Sequence, residues 1–236
     1  MQRYFINNKE AIIFTEEQIN HILKVMRMKI DEKFEIVFNA HLFKVKISSI
    51  SPFKVEIIEE INSNPELKNE MTLLYCLPKG DKLDLVIQKA TEIGVKRIVL
   101  VQSSRCVSKF KKEDYEKKLS RFNKIATEAS EQSHRLIVPI IEDIIDFKDI
   151  KNYHFDHAFI AYENEKQISL KEYISQVKSD ESLGIIIGPE GGFSSSEVQY
   201  ANINGYSSIS LGKRILRSET ACIYALSVLS FLLEDL

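Results

Sequence analysis

Residues 184–221 read GIIIGPEGGFSSSEVQYANINGYSSISLGKRILRSETA. Six of the chain's eight glycines fall in this stretch: Gly184, Gly188, Gly191, Gly192, Gly205 and Gly212. Glycine is needed where φ must be positive or where backbone must come close to another group. A chain so sparing of glycine that gathers it in one place has backbone turns there with a task. The local pattern is strand, glycine turn, short helix, strand, glycine turn, long helix. The apolar run Leu183–Ile187 is the first strand. Pro189 pushes Gly188 out of the helical region and stiffens the exit. Ser194-Ser195-Ser196-Glu197 then has the spacing of a capping box. Two loops thus stand at the carboxyl ends of two strands, the usual ligand position in an open α/β sheet.

The same alternation extends upstream. Met71–Leu77 is a continuous apolar strand, and Pro78-Lys79-Gly80 is a turn. Asp81 is placed to cap a helix carrying Leu83, Val86, Ile87, Ala90 and Ile93, closed by Gly94. Ile98–Val101, Val138–Ile141 and Ala158–Tyr162 are further strands, with helices over 113–133, near 146–151 and over 168–177. The last helix, from about Arg217 to Leu233, carries Ala221, Tyr224, Ala225, Val228, Leu229 and Leu232 on one side. A side that apolar is either core or a subunit interface. Strands alternating with helices imply a parallel sheet covered on both faces.

The beginning of the chain reads differently. A short strand lies within 1–14. Thr15 and Gln18 have capping-box spacing, and Ile19, Ile22, Leu23 and Met26 carry an amphipathic helix to about Arg27. Phe34–Phe38, Leu42–Ile50 and Lys54–Ile61 are strands, with a hairpin turn at Asn39-Ala40-His41. The polar segment Asn62-Ser63-Asn64-Pro65 is the domain boundary. The expected division is a small β-rich domain over 1–68 and an α/β domain over 69–236.

Apolar content of 44% and charged content of 28% are ordinary for a soluble globular protein. A formal charge of −2 argues against bulk nucleic-acid binding, so an RNA contact needs a local basic patch. Cys76, Cys106 and Cys222 are odd in number and widely spaced, and neither they nor His21, His41, His134, His154 and His157 form a metal-ligand motif. No metal is expected, and reduced thiols fit the cytoplasm. No apolar run reaches the length of a membrane span, and MQRYFINNKE lacks the apolar core of a signal peptide.

From spacing alone, Gly188–Phe193 is a tight strand-to-helix turn or a phosphate loop. The second fits poorly, because neither GxGxxG nor GxxxxGK[ST] is present, and no GxSxG elbow occurs either. The motifs themselves go further. Gly188-Pro189-Glu190-Gly191-Gly192-Phe193-Ser194, together with Leu211-Gly212-Lys213-Arg214-Ile215-Leu216-Arg217-Ser218-Glu219-Thr220-Ala221, strongly resembles the ribosomal RNA small-subunit methyltransferase E family, of the SPOUT class. The resemblance spans the chain. Glu128-Ala129-Ser130-Glu131-Gln132-Ser133 with Arg135 and Pro139 looks like a central motif of that family. Leu77-Pro78-Lys79-Gly80 with Lys82, and Lys89–Val95, look like its early motifs, and His21-Ile22 with Val25 and Arg27 like its amino-terminal PUA-like domain. In three places the chain departs. Asp31 stands where the family has a glycine, Asn39-Ala40-His41 replaces a glycine-richer hairpin, and Ser218 replaces a commoner threonine.

The resemblance implies a carboxyl-terminal domain threaded into a deep trefoil knot, which ordinary topology excludes. It implies S-adenosylmethionine as methyl donor, held in the knot, and N3 methylation of a uridine of 16S ribosomal RNA or the small ribosomal subunit by a homodimer. The donor would lie among Ala161, Tyr162, Ile187, Gly188, Pro189, Glu190, Gly191, Gly192, Leu211, Gly212, Ile215, Leu216, Thr220 and Ala221. Neutral uridine carries a proton on N3, so a base or a cation favouring the anion is required. Glu190, Glu219 and, from a partner subunit, Glu128 are candidate bases, and Arg217 or Arg135 is the candidate cation. Each has a structural alternative: Glu219 as a helix cap, Glu128 paired with a lysine, Arg217 holding the knot. For RNA the candidates are Arg105 with Lys109, Lys111 and Lys112, and also Arg3, Arg27, Lys79, Lys82 and Arg135, set against the simpler reading of a solvated charged face. Two other functions stay open: methylation of another RNA position, such as a ribose 2′-hydroxyl, and a catalytically silent RNA-binding or ribosome-assembly factor.

Overall fold

The computed structural model describes residues 1–8, 10–107 and 112–234, the side chains of 112–115 excepted. Of the basic run, Lys109 and Lys111 lie outside the described residues, as does the side chain of Lys112. The chain divides into two units: Met1–Glu66 with Ser130–Ile137, and Leu67–Ala129 with Val138–Leu236.

In the first unit β1 (Arg3–Ile6), β2 (Lys33–Phe38), β3 (His41–Ile50) and β4 (Phe53–Ile61) form a sheet in that order. β1 pairs parallel with β2, and the remaining pairs are antiparallel. Alternation along β2 and β3 puts Phe34, Ile36, Val45 and Ile47 on the inner face, where they pack with Tyr4, Ile6 and Ile22. The hairpin expected at Asn39-Ala40-His41 turns on two residues, because β3 already begins at His41. Asn39 and Ala40 both have positive φ, 50° and 62°, and His41 already pairs with Phe38. Two left-handed residues match the twist of a hairpin, and alanine there costs roughly 1 kcal/mol against glycine. Asp31, the other glycine replacement, has φ 67°.

The first helix differs from the sequence expectation. Thr15 and Gln18 do form the capping box, but α1 (Glu16–Asn20) is α-helical for five residues only. His21–Val25 is a π turn, with the Met26 N–H bonded to His21 O at 2.9 Å. The wider turn goes with two inward groups at successive positions: His21 Nδ1 lies 2.8 Å from Tyr4 OH, and Ile22 is fully buried.

The second unit is built on β5 (Met71–Cys76), β6 (Arg97–Gln102), β7 (Ile140–Ile141), β8 (Ile145–Asp146), β9 (His157–Ala161), β10 (Leu183–Ile187) and β11 (Ser207–Ile209). The order is β11-β9-β10-β5-β6-β7, with β8 also on β6, and every pair is parallel. β5 and β10 lie side by side at the centre and are buried at every residue, as their unbroken apolar runs require. Each fully buried Leu or Ile among them contributes about 1.5–3 kcal/mol. The helices are α2 (Lys82–Glu92), α3 (Lys112–Gln132), α4 (Leu170–Ile174), α5 (Ser195–Ile203) and α6 (Ser218–Leu233).

Three details correct the sequence expectations. Asp81 precedes α2 but makes no capping bond, because its backbone (φ −91°, ψ 12°) is not in the extended conformation from which an N-cap side chain reaches back. Val138–Ile141 narrows to the two residues of β7, since Pro139 has no N–H to give to a ladder. On α6 the buried line is Ser218, Cys222, Ala225, Leu226 and Leu229, while Tyr224, Phe231 and Leu232 are exposed. Among the described residues no helix is long and apolar enough to cross a membrane, and no cluster of His, Cys, Asp and Glu is arranged to hold a metal.

Candidate active site

Because the sheet is parallel, the carboxyl ends of β5, β9, β10 and β11 share one edge. The chain leaves β5 toward β6 on one side and later builds β9, β10 and β11 on the other. The edge between β5 and β10 is therefore a topological switch point. The loop after β10 is Gly188–Phe193, and the loop after β11 carries Leu211, Gly212, Ile215 and Leu216 into Arg217 and α6. Ala161 ends β9, and the Tyr162 N–H bonds to Ile209 O at 3.0 Å, tying the exits of β9 and β11 together. Thr220 and Ala221 lie in the first turn of α6. The expected donor residues thus occupy one edge of one sheet.

Ser194 caps α5 through the capping box with Glu197. That fixes the far end of the Gly188–Phe193 loop and contributes about 1 kcal/mol. Gly192 has φ 63°, and a Cβ there would sit 2.7 Å from Glu163 Oε1. The positive φ is what calls for glycine, since the Glu163 carboxylate ends an exposed, flexible side chain that can move aside. Arg105, expected on RNA, instead donates from Nη1 to Gly191 O at 2.9 Å and braces the loop from the β6 side.

Start of α6 and end of β10 are joined directly. Ser218 Oγ lies 2.5 Å from Gly188 O and 2.9 Å from Tyr75 OH, on β5. Next to it, Glu219 Oε2 lies 3.0 Å from Lys82 Nζ, which also lies 3.1 Å from Glu190 Oε1. The Lys79 N–H adds a bond to Glu190 at 3.2 Å. The Lys82–Glu219 contact is an ion pair without hydrogen-bond alignment, and Glu219 Oε2 is buried with no hydrogen bond. Burial raises the carboxyl pKa of Glu190, but bonds from backbone, Lys82 and Lys79 outweigh it and leave it lowered. Glu219 behaves alike: burial raises it, while its backbone bond, Lys82 and the charge of Arg217 lower it further. Its two carboxylate partners, Glu219 first and then Glu190, raise the Lys82 ammonium.

Glu190, Glu219 and Arg217 are therefore brought to one place, Arg217 exposed at the N-cap of α6. Glu128 is exposed on α3, 4.0 Å from Lys124, where it forms a surface ion pair. Arg3 and Arg135 are not surface cations. Arg3 is 5% exposed, pairs with Glu35 at 2.8 Å and donates to His134 O and Arg135 O. Arg135 is 3% exposed and pairs with Glu66 at 2.6 Å. Neither is open to a phosphate or a uracil. Arg27 and Lys79 are exposed.

Tyr75, Glu163 and the thiol pair Cys76–Cys106 are absent from the sequence expectations. Tyr75 is hidden in an apolar strand, and no local pattern marks its hydroxyl. Cys106, after β6, lies 3.2 Å from Ser103 Oγ; a bond from Cys76 above all lowers its thiol to about 6, and burial pushes the Cys76 thiol up. A cavity of about 580 Å³ opens at the amino ends of the strands, lined by Thr72, Arg97, Tyr153 and Ser182 among others. It is at the opposite edge from the glycine loops, and ligands of open α/β sheets bind at the carboxyl ends.

Two family models match separate parts of the chain. A family model described as an RNA methyltransferase domain matches residues 65–230, and one described as an RNA methyltransferase PUA domain matches residues 14–60. Fold and matches define an RNA methyltransferase with a PUA domain ahead of it. The ribosomal RNA small subunit methyltransferase E of Bacillus subtilis is 38% identical, over 99% of this chain and 98% of its own. That of Mesomycoplasma hyopneumoniae is 39% identical, over 96% and 98%. The crystal structure of the Neisseria gonorrhoeae enzyme of that name, bound to S-adenosyl methionine, has TM-score 0.87 at 26% identity and covers 98% of both chains. The chain belongs to the ribosomal RNA small subunit methyltransferase E family.

Proposed function

We propose that the protein transfers a methyl group from S-adenosylmethionine to N3 of a specific uridine in 16S ribosomal RNA. The observation that carries this is the meeting of the Gly188–Phe193 loop with the start of α6, through Ser218, at the carboxyl edge of β5 and β10. The residues fit an adenosine-bearing cation. The backbone of Gly188, Gly191, Leu211, Ile215 and Leu216 lies at the edge, Gly192 turns it at φ 63°, and the Glu190 and Glu219 carboxylates stand beside it. The donor, when bound, supplies a methyl group already activated on a sulfonium.

What remains for the chain is orientation and charge. Arg217, exposed beside Glu219, stabilises the uracil oxygens as N3 loses its proton to solvent; the N3 lone pair then forms the new C–N bond as the C–S bond breaks. Glu190 and Glu219, both held ionised, orient groups at the edge. A trefoil knot belongs to the same proposal, supported by the return of the chain after β11 to Gly188 and Tyr75. So does a homodimer, supported by Tyr224, Phe231 and Leu232 left exposed on α6. So do the division at residue 68, RNA contacts by Arg27 and Lys79, and action in the cytoplasm, where ribosomal RNA and free thiols are found.

Methylation at N3 blocks the Watson–Crick edge and stops reverse transcriptase. 16S RNA from cells lacking the gene, incubated with protein and donor, acquires one new stop at a uridine. No stop, or a stop formed without donor, rejects the proposal. Donor-induced thermal stabilisation without any stop points to a binding factor or to another target position.

A further inference from the structure

Lys82 opens α2, at the exit of β5, and by sequence it is one more cation for RNA. Its surroundings give it different work. Nζ lies about equally far from a carboxylate of the loop after β10, Glu190 at 3.1 Å, and one in the first turn of α6, Glu219 at 3.0 Å. Lys79, three residues earlier, adds its backbone N–H to Glu190. Glu190 is 108 residues away in sequence, so three loops distant along the chain are joined at one nitrogen. An exposed lysine ion pair contributes little by itself. Two carboxylates around one ammonium are another matter. Glu219 is 15% exposed, and its Oε2 accepts no hydrogen bond, so the Lys82 charge is what balances it. Without that ammonium, two like charges face each other in a partly dry site, and repulsion drives the loops apart.

We propose that Lys82 is a positioning residue for methyl transfer, clamping the Gly188–Phe193 loop to the start of α6 by sharing its ammonium between Glu190 and Glu219. The inference rests on the function proposed above and adds the group that sets the distance between the two walls of the site. It also removes Lys82 from phosphate binding, because two carboxylates already neutralise it.

Lys82→Met removes the charge and keeps the bulk; Lys82→Arg keeps the charge. The first readout is amide hydrogen exchange of the full-length protein without donor. Residues 188–193 and 218–221 exchange at least about fivefold faster in K82M and close to wild type in K82R. Adding Glu190→Gln to K82M removes one of the repelling carboxylates and restores slow exchange, a reversal that lost packing does not give. The second readout is methyl transfer. K82M raises the KM for S-adenosylmethionine about tenfold and leaves the salt dependence of RNA binding unchanged, whereas loss of a phosphate contact lowers that slope by about one. Unchanged exchange in K82M, no reversal by E190Q, or a lowered salt slope overturns the clamp. Wild-type protein without methyl transfer overturns the function, and the exchange experiment still decides the clamp. Should K82M fail to fold, Lys82→Gln is read in the same way.

Discussion

Ser218→Ala tests the joint at the centre of the site, and its cost follows from two distances. Ser218 is 5% exposed, with Oγ 2.5 Å from Gly188 O and 2.9 Å from Tyr75 OH. One serine hydrogen cannot serve both partners, so the Tyr75 hydroxyl supplies the second. Alanine removes the shared oxygen and leaves two polar groups behind, one of them on a fully buried tyrosine. An orphaned buried group costs about 1–3 kcal/mol, and Gly188, only half-buried, falls at the low end, so the substitution costs roughly 2–4 kcal/mol. Tyr75→Phe removes the hydroxyl together with its need for a partner and leaves Ser218 on Gly188, which costs about 1 kcal/mol. In the double variant no phenol is left orphaned. Its cost is therefore less than the sum of the single ones, by about 1–2 kcal/mol. Urea unfolding at constant m measures all three, and the thermal midpoint of S218A falls by roughly 5–15 °C. Ser218→Thr, which restores the hydroxyl, stays within about 1 kcal/mol of wild type. An S218A cost under about 0.5 kcal/mol, or strict additivity with Y75F, refutes the shared-hydroxyl joint.

Gly184→Ala on β10 would place a Cβ 2.2 Å from the Phe155 ring. It costs about 1–3 kcal/mol or more in thermal unfolding, and Phe155→Ala in the same chain relieves part of that. Arg135→Ala leaves Glu66, 6% exposed, without its cation and costs about 3–5 kcal/mol, with the salt slope of RNA binding intact. Arg27→Ala does the reverse: stability within about 0.5 kcal/mol, and a salt slope lower by about one. Glu197→Gln weakens the bonds from the Ser104 and Ser194 N–H groups and costs about 1–2 kcal/mol at pH 7. Burial raises the Glu197 carboxyl, but those bonds outweigh it and the net shift is downward from 4.5. A lowered carboxyl stabilises above its unfolded value and loses that stabilisation as pH falls through the folded one. The gap between wild type and E197Q therefore narrows below about pH 4.5 in urea midpoints.

Parallel pairing was legible because β5 and β10 are apolar at nearly every residue, the mark of strands covered on both faces. Which strand lies beside which was not: the neighbourhood of β10 and β5 depends on crossovers that no local pattern records. Capping boxes at Thr15 and Ser194 were legible because both partners lie within four residues. Asp81 has the right residue type for a cap and the wrong backbone. The arginines show the same limit at longer range. Arg3 and Arg135 look like surface cations until Glu35 and Glu66, 32 and 69 residues away, are found against them. Lys82 reads as an RNA cation for the same reason, its two carboxylates being remote in sequence. The glycine loops needed no such partner, since positive φ and close approach are properties of the position itself.

The state of Glu190 and Glu219 bears on how the uridine is activated. A general base works best with a pKa near the operating pH, which for a carboxylic acid means a shift upward by burial or by another carboxylate. Here two carboxylates do lie close together, and the ordinary result would be one raised pKa. Lys82 between them cancels that effect, and both are lowered instead. With both carboxyls lowered, each is ionised at neutral pH and is a poorer base for the N3 proton than an unshifted one. On the proposed function, proton loss then precedes transfer, helped by the Arg217 charge, and the uridine anion is the reactive species. Methyl transfer should rise tenfold per pH unit from about pH 5 until the uridine itself is ionised, with no limb belonging to the enzyme. Arg217→Ala should lower kcat about a hundredfold and leave that slope intact. An enzyme limb between about pH 6 and 7 that vanishes in Glu190→Gln or Glu219→Gln would show a carboxylate acting as base after all, and would place the missing desolvation in the bound complex.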